Sequence, residues 1–323
     1  MQTLNEDIRG RTFKPVYLLF GEETFLKNSY KNRLREAVVG EDTMNFSRFE
    51  GKGVDVDELI RMADTMPFFA EKRLVLVEDS GFFKSAQEAL LQYLPGMPGS
   101  TCMVFVESEV DKRGKLYKKV KSMGYAAEMA RQDSAQLARW AGTILAREGK
   151  RITNATMDLF LNMAGDDMEN IQRELEKLIC YTMGREVVTE EDVGLVCTMR
   201  VSNRIFEMVA AVVNRQPKKA MGLYEDLLAL KEPPMRILFL IARQFNQLLQ
   251  VKEMMEKGMT RGEIASRLKM QPFVVGKAMP QARQFSREQI LSCVNLCVDM
   301  EEAVKTGRLS DRLAVELLLT KEY

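Results

Sequence analysis

The chain has 323 residues, 46% hydrophobic and 29% charged, with a net charge of +1. That is apolar material for two or three domains at roughly 150 residues each, and it excludes a disordered or fibrous protein. Histidine is absent altogether, which removes the commonest general base and transition-metal ligand, together with any Ser-His or Cys-His nucleophile.

The opening MQTLNEDIRGRTFKP is charged throughout and reads as neither a signal peptide nor an anchor, and no later stretch reaches the ~20 apolar residues of a membrane span. A cytoplasmic location with no membrane partner is expected. From there to about residue 130, short apolar runs alternate with helical patterns. The runs are VYLLF (16–20), FSRFE (46–50), RLVLVED (73–79), CMVFVES (102–108) and AAEMA (126–130). Helices are expected over 25–38, over 56–65 behind an Asp55-x-x-Glu58 box, over 85–94 with Ser85 as N-cap, and over 112–123. Buried strands separated by helices imply a parallel sheet covered on both faces, an α/β domain of nucleotide-binding type.

After about residue 131 the strand signal stops and amphipathic helices remain. Asp133 and Ser134 can cap a helix through about Arg147, NATMDLFLNMAG and DDMENIQRELEKLICYT follow, and Thr189 to Asp192 resembles another capped start. A second helical set begins near Asn203, with Pro217 and Glu232-Pro233-Pro234 as punctuation. The expected order is an α/β domain over 1–131, a small helical domain over 132–202 and a larger helical domain over 203–323. Cys102, Cys180, Cys197, Cys293 and Cys297 are scattered without a C-x-x-C pair. Cys293 and Cys297 share a helix face with no partner ligand nearby, and they read as buried packing.

The first strand leads into Gly21-Glu22-Glu23-Thr24-Phe25-Leu26-Lys27-Asn28, the place where a phosphate-binding loop would carry G-x-x-x-x-G-K-[ST]. Gly21 and Lys27 are in register, but Leu26 replaces the second glycine and Asn28 the magnesium-binding hydroxyl. Glu22 and Glu23 add two carboxylates where a polyphosphate would sit, and like charges in a desolvated cradle repel. ATP binding is disfavoured at this loop. Glu78 and Asp79 end the third strand where a magnesium-holding acid would stand, and without a working phosphate loop they read as structural or vestigial. No cofactor, no metal and no catalytic residue is expected.

KPVYLLFGEETFLKN, TMPFFAEKRLVLVED, ENIQRELEKL, IARQFNQLLQVKEM and MEEAVKTGRLSDRLAVELLL together resemble the delta subunit of the bacterial DNA polymerase III clamp loader, over nearly the whole chain and in order. The resemblance implies a degenerate AAA+ module, a helical lid and a helical collar through which the loader oligomerises. It further implies a subunit that is not an enzyme by itself but a component of the DNA-directed DNA polymerase III holoenzyme, a nucleotidyltransferase. Its implied task is to bind the beta sliding clamp and open the ring for loading on primed DNA during replication. The implied partners are that clamp, the gamma/tau ATPase subunits, delta-prime, and primer-template DNA within the assembled complex.

Pro67 should end the helix begun near Val56, leaving Phe68 and Phe69 before the charged turn Glu71-Lys72-Arg73. Adjacent aromatics cannot both face one core from a regular element, so either one at least is an exposed anchor or both cover the end of the sheet. The resemblance favours the first, since delta subunits present a hydrophobic pair from this turn to a pocket on the clamp. It implies Met66, Pro67, Phe68 and Phe69 as the clamp-binding residues.

Two other segments suggest nucleic acid. Lys112, Arg113, Lys115, Lys118, Lys119 and Lys121 make a basic helix that either meets phosphates or is a solvated face, and the small net charge favours the latter. TRGEIASRLKMQPFVVGKAM (260–279) imitates a helix-turn-helix, with Thr260 as cap, Ile264, Ala265 and Leu268 facing inward, and Lys269 at the turn position usually taken by Gly. Packed collar helices give the same pattern. The alternative function is therefore a DNA-binding regulator using 260–279.

Overall fold

The computed structural model describes residues 1–199, 201–268, 270 and 272–321, with backbone only at 202, 213, 272 and 273. The chain divides into two compact units, Met1–Gln132 and Asp133–Tyr323.

The first unit runs α1 (Gln2–Gly10), β1 (Val16–Phe20), α2 (Thr24–Val38), β2 (Phe46–Glu50), α3 (Val56–Asp64), β3 (Arg73–Glu78), α4 (Glu88–Tyr93), β4 (Thr101–Glu107), α5 (Lys115–Met123) and β5 (Tyr125–Glu128). The strands form one sheet in the order β2-β3-β4-β1-β5, with every neighbouring pair parallel. β1, β3 and β4 are buried at every position, as expected of strands covered on both faces. The pleat sorts their side chains. Val16, Leu18, Phe20, Val75, Val77, Met103 and Phe105 pack with Leu59 and Ala63 of α3, Leu90 of α4, and Leu116 and Val120 of α5. Tyr17, Leu19, Leu74, Leu76, Val104 and Val106 face the other way, onto Leu4 of α1 and Tyr30 and Leu34 of α2. The result is a three-layer α/β domain.

Sequence patterning gave no sign of α1, because its surface is charged. Leu4 is its fully buried apolar anchor, with Ile8 partly buried beside it, and a polar tether supplements them. Asp7 pairs with Lys14 at 2.7 Å and accepts the Tyr17 hydroxyl at 2.8 Å, and burial pushes that hydroxyl well above its ordinary range. The helix expected from Ser85 begins instead at Glu88 with Gln87 as N-cap. A 3-10 turn over Phe82–Lys84 comes first and buries both phenylalanines, leaving Ser85 extended. The basic helix likewise starts at Lys115, after a turn in which Asp111 accepts the Arg113 amide at 2.9 Å.

The second unit contains α6 (Ser134–Arg147), β6 (Arg151–Ile152), α7 (Asn154–Ala164), α8 (Met168–Tyr181), β7 (Val187–Val188) and α9 (Glu190–Val196). It continues with α10 (Val201–Val213), α11 (Pro217–Ala229), α12 (Pro234–Glu256), α13 (Arg261–Leu268), α14 (Pro272–Gln284), α15 (Arg287–Lys305) and α16 (Asp311–Thr320). The strand signal does not stop at 131, since β6 and β7 form a two-residue parallel pair, too short to show a period of two. Capping boxes at Asp133 with Gln136, at Thr189 with Asp192 and at Ser286 with Gln289 set three helix starts. Pro217 and Pro234 occupy first-turn positions, where the missing N–H costs nothing. α12 is the central helix of the later set. Its Ile237, Leu238, Ile241, Phe245 and Leu248 are buried against residues of α10, α14, α15 and α16. Cys293 and Cys297 lie in that core, whereas Cys180 is exposed. Among the described residues no helix is long and apolar enough to cross a membrane.

The tightest close approach at a glycine of the first unit is at Gly124. Gly124 joins α5 directly to β5, and a Cβ there would overlap the Val16 carbonyl of β1. Gly124→Ala should therefore cost about 3 kcal/mol by forcing β5 away from the sheet. A urea titration with an unchanged midpoint would contradict this packing.

Candidate functional site

Parallel strands bring all their C-terminal ends to one edge of the sheet and all their N-terminal ends to the other. Gly21, Glu78 and Glu107 stand at the first edge, and the segments entering β2 and β3 at the second. The two sets of sequence candidates thus occupy opposite edges.

At the C-terminal edge the loop after β1 is bonded to the protein itself. Gly21 has φ 123°, and a Cβ there would run into the Met129 carbonyl, so close packing alone explains this glycine. The Gly21 amide donates to the Glu107 carbonyl at 3.3 Å and the Glu23 amide to the Met129 carbonyl at 2.9 Å. Glu23 then caps α2, its carboxylate accepting the Phe25 amide at 3.2 Å. Glu22 points outward and pairs loosely with Arg131 at 3.5 Å. Leu26 packs against the core beneath α1 and α2, and Asn28 is exposed.

Lys27 turns inward. Its Nζ lies 3.4 Å from both the Glu107 carbonyl and Ser108 Oγ, and burial pushes its amine down while Asp79, Glu107 and Glu23 oppose that shift. Glu78 is occupied as well. Lys31 Nζ and Arg48 Nε each approach its carboxylate to 2.6 Å. Burial raises its carboxyl, but the two cations outweigh that and hold it below the usual range. Asp79 is exposed at φ 48° and accepts from Ser108 Oγ at 3.2 Å.

Sequence reasoning missed Glu107. It closes β4 and is buried, with its carboxylate taking Ser80 Oγ at 2.5 Å and the Gly81 amide at 3.2 Å. Burial pushes its carboxyl up against those bonds. The signal was a single acid closing an otherwise apolar strand. Among the described residues no cluster of three or more His, Cys, Asp or Glu could hold a metal.

The N-terminal edge is built differently. Asp55 caps α3 through the Asp57 amide at 2.9 Å, and the helix stops at Asp64, with Thr65 extended as its C-cap. Met66 cannot easily be helical before Pro67. The chain then shows its apolar side chains to solvent: Met66 is 80% exposed, Phe68 53% and Phe69 95%. The two rings meet edge to face with centroids 4.5 Å apart. Neither belongs to the core that the alternative reading required. Phe69 has φ 49°, an uphill conformation for an aromatic residue.

Asn45, which sequence reasoning also missed, holds this turn. It is 0% exposed. Its Oδ1 accepts the Phe68 amide at 2.6 Å, and its Nδ2 donates to the Phe68 carbonyl at 2.8 Å and to Asp42 Oδ2 at 2.5 Å. The bond to Asn45, followed by further bonds within the loop, holds the Asp42 carboxyl below its ordinary range. Asn45 is fixed in turn by the sheet, its carbonyl accepting the Leu74 amide at 2.9 Å. The Arg73 guanidinium also reaches the neighbouring Met44 carbonyl at 3.3 Å.

Three residues of the basic segment and the helix-turn-helix candidate are engaged within their own units. In the basic segment Lys112 pairs with Glu128, Arg113 with Asp111 and Lys115 with Glu88. Thr260 caps α13 in a reciprocal arrangement with Glu263. Ile264 and Ala265 are buried in the helical core together with Val275 and Ala278 of α14. Leu268 is only partly buried against it, and Lys269 lies outside the described residues.

Known proteins match this whole architecture. Residues 17–129 match the DNA polymerase III delta subunit family, and residues 202–322 its C-terminal domain. DNA polymerase III subunit delta of Bacillus subtilis (strain 168) is 30% identical over 318 residues, covering 94% of this chain and 92% of the relative. The probable DNA polymerase III subunit delta of Aquifex aeolicus (strain VF5) is 21% identical over 256 residues, 75% of this chain and 72% of the relative. The solved structure of the Bacillus subtilis DNA clamp loader delta protein superposes with a TM-score of 0.80 at 29% identity, over 98% of both chains. The chain therefore belongs to the family of DNA polymerase III delta subunits, components of the clamp loader.

Proposed function

We propose that this chain binds the beta sliding clamp through Met66, Pro67, Phe68 and Phe69 and opens the ring for loading onto primed DNA. The observation that carries the reading is the solvent-facing Phe68–Phe69 pair on a fixed turn. Two aromatics side by side, next to the exposed Met66, have the chemistry of a hot spot, since large rigid rings release much ordered water per immobilised torsion. A closed ring can be opened by a protein only if the open form is bound more tightly. Binding energy concentrated in a small apolar plug can be directed at one ring interface.

The C-terminal edge fits a subunit without nucleotide chemistry of its own. Lys27 lies buried toward β4, Glu78 is neutralised by two cations, and Glu23 caps a helix where a phosphate would need its amides. We read Gly21, Glu22, Glu23, Leu26, Lys27 and Asn28 as a non-functional remnant of a phosphate loop. Residues 1–131 would then act as the clamp-binding module, 132–202 as a lid, and 203–323 as a collar. The collar would join the gamma/tau ATPase subunits and delta-prime, and primer-template DNA would meet the assembled complex in the cytoplasm.

Titration calorimetry with magnesium-ATP should show no binding in the micromolar range, and micromolar affinity would overturn the reading of the loop. Phe68→Ala with Phe69→Ala should weaken clamp binding at least about thirtyfold, because one hot-spot truncation alone commonly costs about 2 kcal/mol. The melting temperature should barely move, since both rings already face water. Normal clamp binding by this double variant would place the contact elsewhere.

A further inference from the structure

We infer that Asn45, with Asp42 behind it, is a positioning residue for the exposed aromatic turn. The inference rests on the proposed clamp-binding role of that turn. The segment between α3 and β3 passes the N-terminal end of β2 outside the sheet ladder. A loop of this kind, ending in two apolar rings, would ordinarily sample many conformations. Here one side chain supplies what a neighbouring strand would supply, taking both the amide and the carbonyl of Phe68.

The amide orientation is fixed by its partners. Both groups facing Nδ2 are acceptors, the Phe68 carbonyl and the Asp42 carboxylate, and the group facing Oδ1 is an N–H donor. The bonds fall on the residue immediately before Phe69, whose left-handed φ needs external support. They are anchored in the sheet through the Asn45 carbonyl and Leu74. Asn45 has no exposed surface, so any effect on a partner must pass through the turn. Apparent affinity scales with the fraction of molecules in the binding-competent conformation, and the latch keeps that fraction near one.

The test uses the intact chain and the beta sliding clamp, with affinity and melting temperature measured together. Asn45→Ala should weaken clamp binding about tenfold and leave the melting temperature within a few degrees of wild type. In the Phe68→Ala, Phe69→Ala background the same substitution should change residual binding little, because the rings it orients are gone. Equal weakening in both backgrounds would overturn the inference, as would wild-type binding by Asn45→Ala. If Asn45→Ala melts early, Asp42 carries the test. Asp42→Ala removes the acceptor that aims the amide and should weaken binding about threefold, whereas Asp42→Asn keeps an acceptor oxygen and should restore it. No difference between those two variants would then overturn the inference. Normal clamp binding by the ring-less double variant is a separate result that removes the clamp-binding reading itself.

Discussion

Parallel strand pairing is the constraint on which the rest of the first unit depends. β1 to β5 all run one way, so each must return by a crossover on one face of the sheet. Helices then cover both faces and bury the central strands β1, β3 and β4 completely, leaving the two edges formed by strand ends as the places where loops can carry function. One edge holds the loop after β1 with the acids closing β3 and β4, and the other holds the turn that enters β3. The spans are rigid and short, so a turn fixed to one edge is held by the whole domain.

The edges divide polar and apolar work. At the C-terminal edge, ionisable groups that would be costly if buried alone are paired: Glu78 with Lys31 and Arg48, and Glu107 with Ser80 and Gly81. Breaking such a buried set from one side leaves an uncompensated charge or acceptor. Internal bonds thereby tie the ends of β3 and β4 to the rest of the domain. At the N-terminal edge the balance is reversed, with buried Asn45 supporting a turn whose own aromatic side chains are left in water.

Much of this was legible in the sequence because the central strands β1, β3 and β4 are apolar along most of their length. VYLLF, RLVLVED and CMVFVES announce a parallel sheet, and Asp133 and Thr189 stand three residues before the side chains that complete their capping boxes. Other elements were illegible for physical reasons. The α1 helix has only Leu4 and the partly buried Ile8 as apolar contacts and a charged face, so it also depends on the Asp7–Lys14–Tyr17 contacts that only the folded chain creates. Ser85 has the right residue type for a cap, but burial of Phe82 and Phe83 sets a 3-10 turn first. The residue types alone narrow the exposure of Phe68 and Phe69 to two options, and only the family resemblance favours one of them. Asn45 lies 23 residues before Phe68, a separation at which no local pattern links a side-chain amide to a distant backbone.

An exposed aromatic pair is poor design for stability alone. Phe68 and Phe69 add little burial to the domain, and the left-handed φ at Phe69 adds local strain. A turn selected only for folding would carry Gly at such a φ and polar side chains around it. Both departures become favourable if a partner removes the rings from water, because the apolar area is then recovered in the complex. Holding the backbone beforehand also reduces the ordering cost at the moment of association. On the proposed function, the free energy available for distorting a ring is what remains after that ordering cost is met. A plug held by the buried Asn45 amide therefore delivers more of its contact energy to the open clamp than the same rings on a flexible loop.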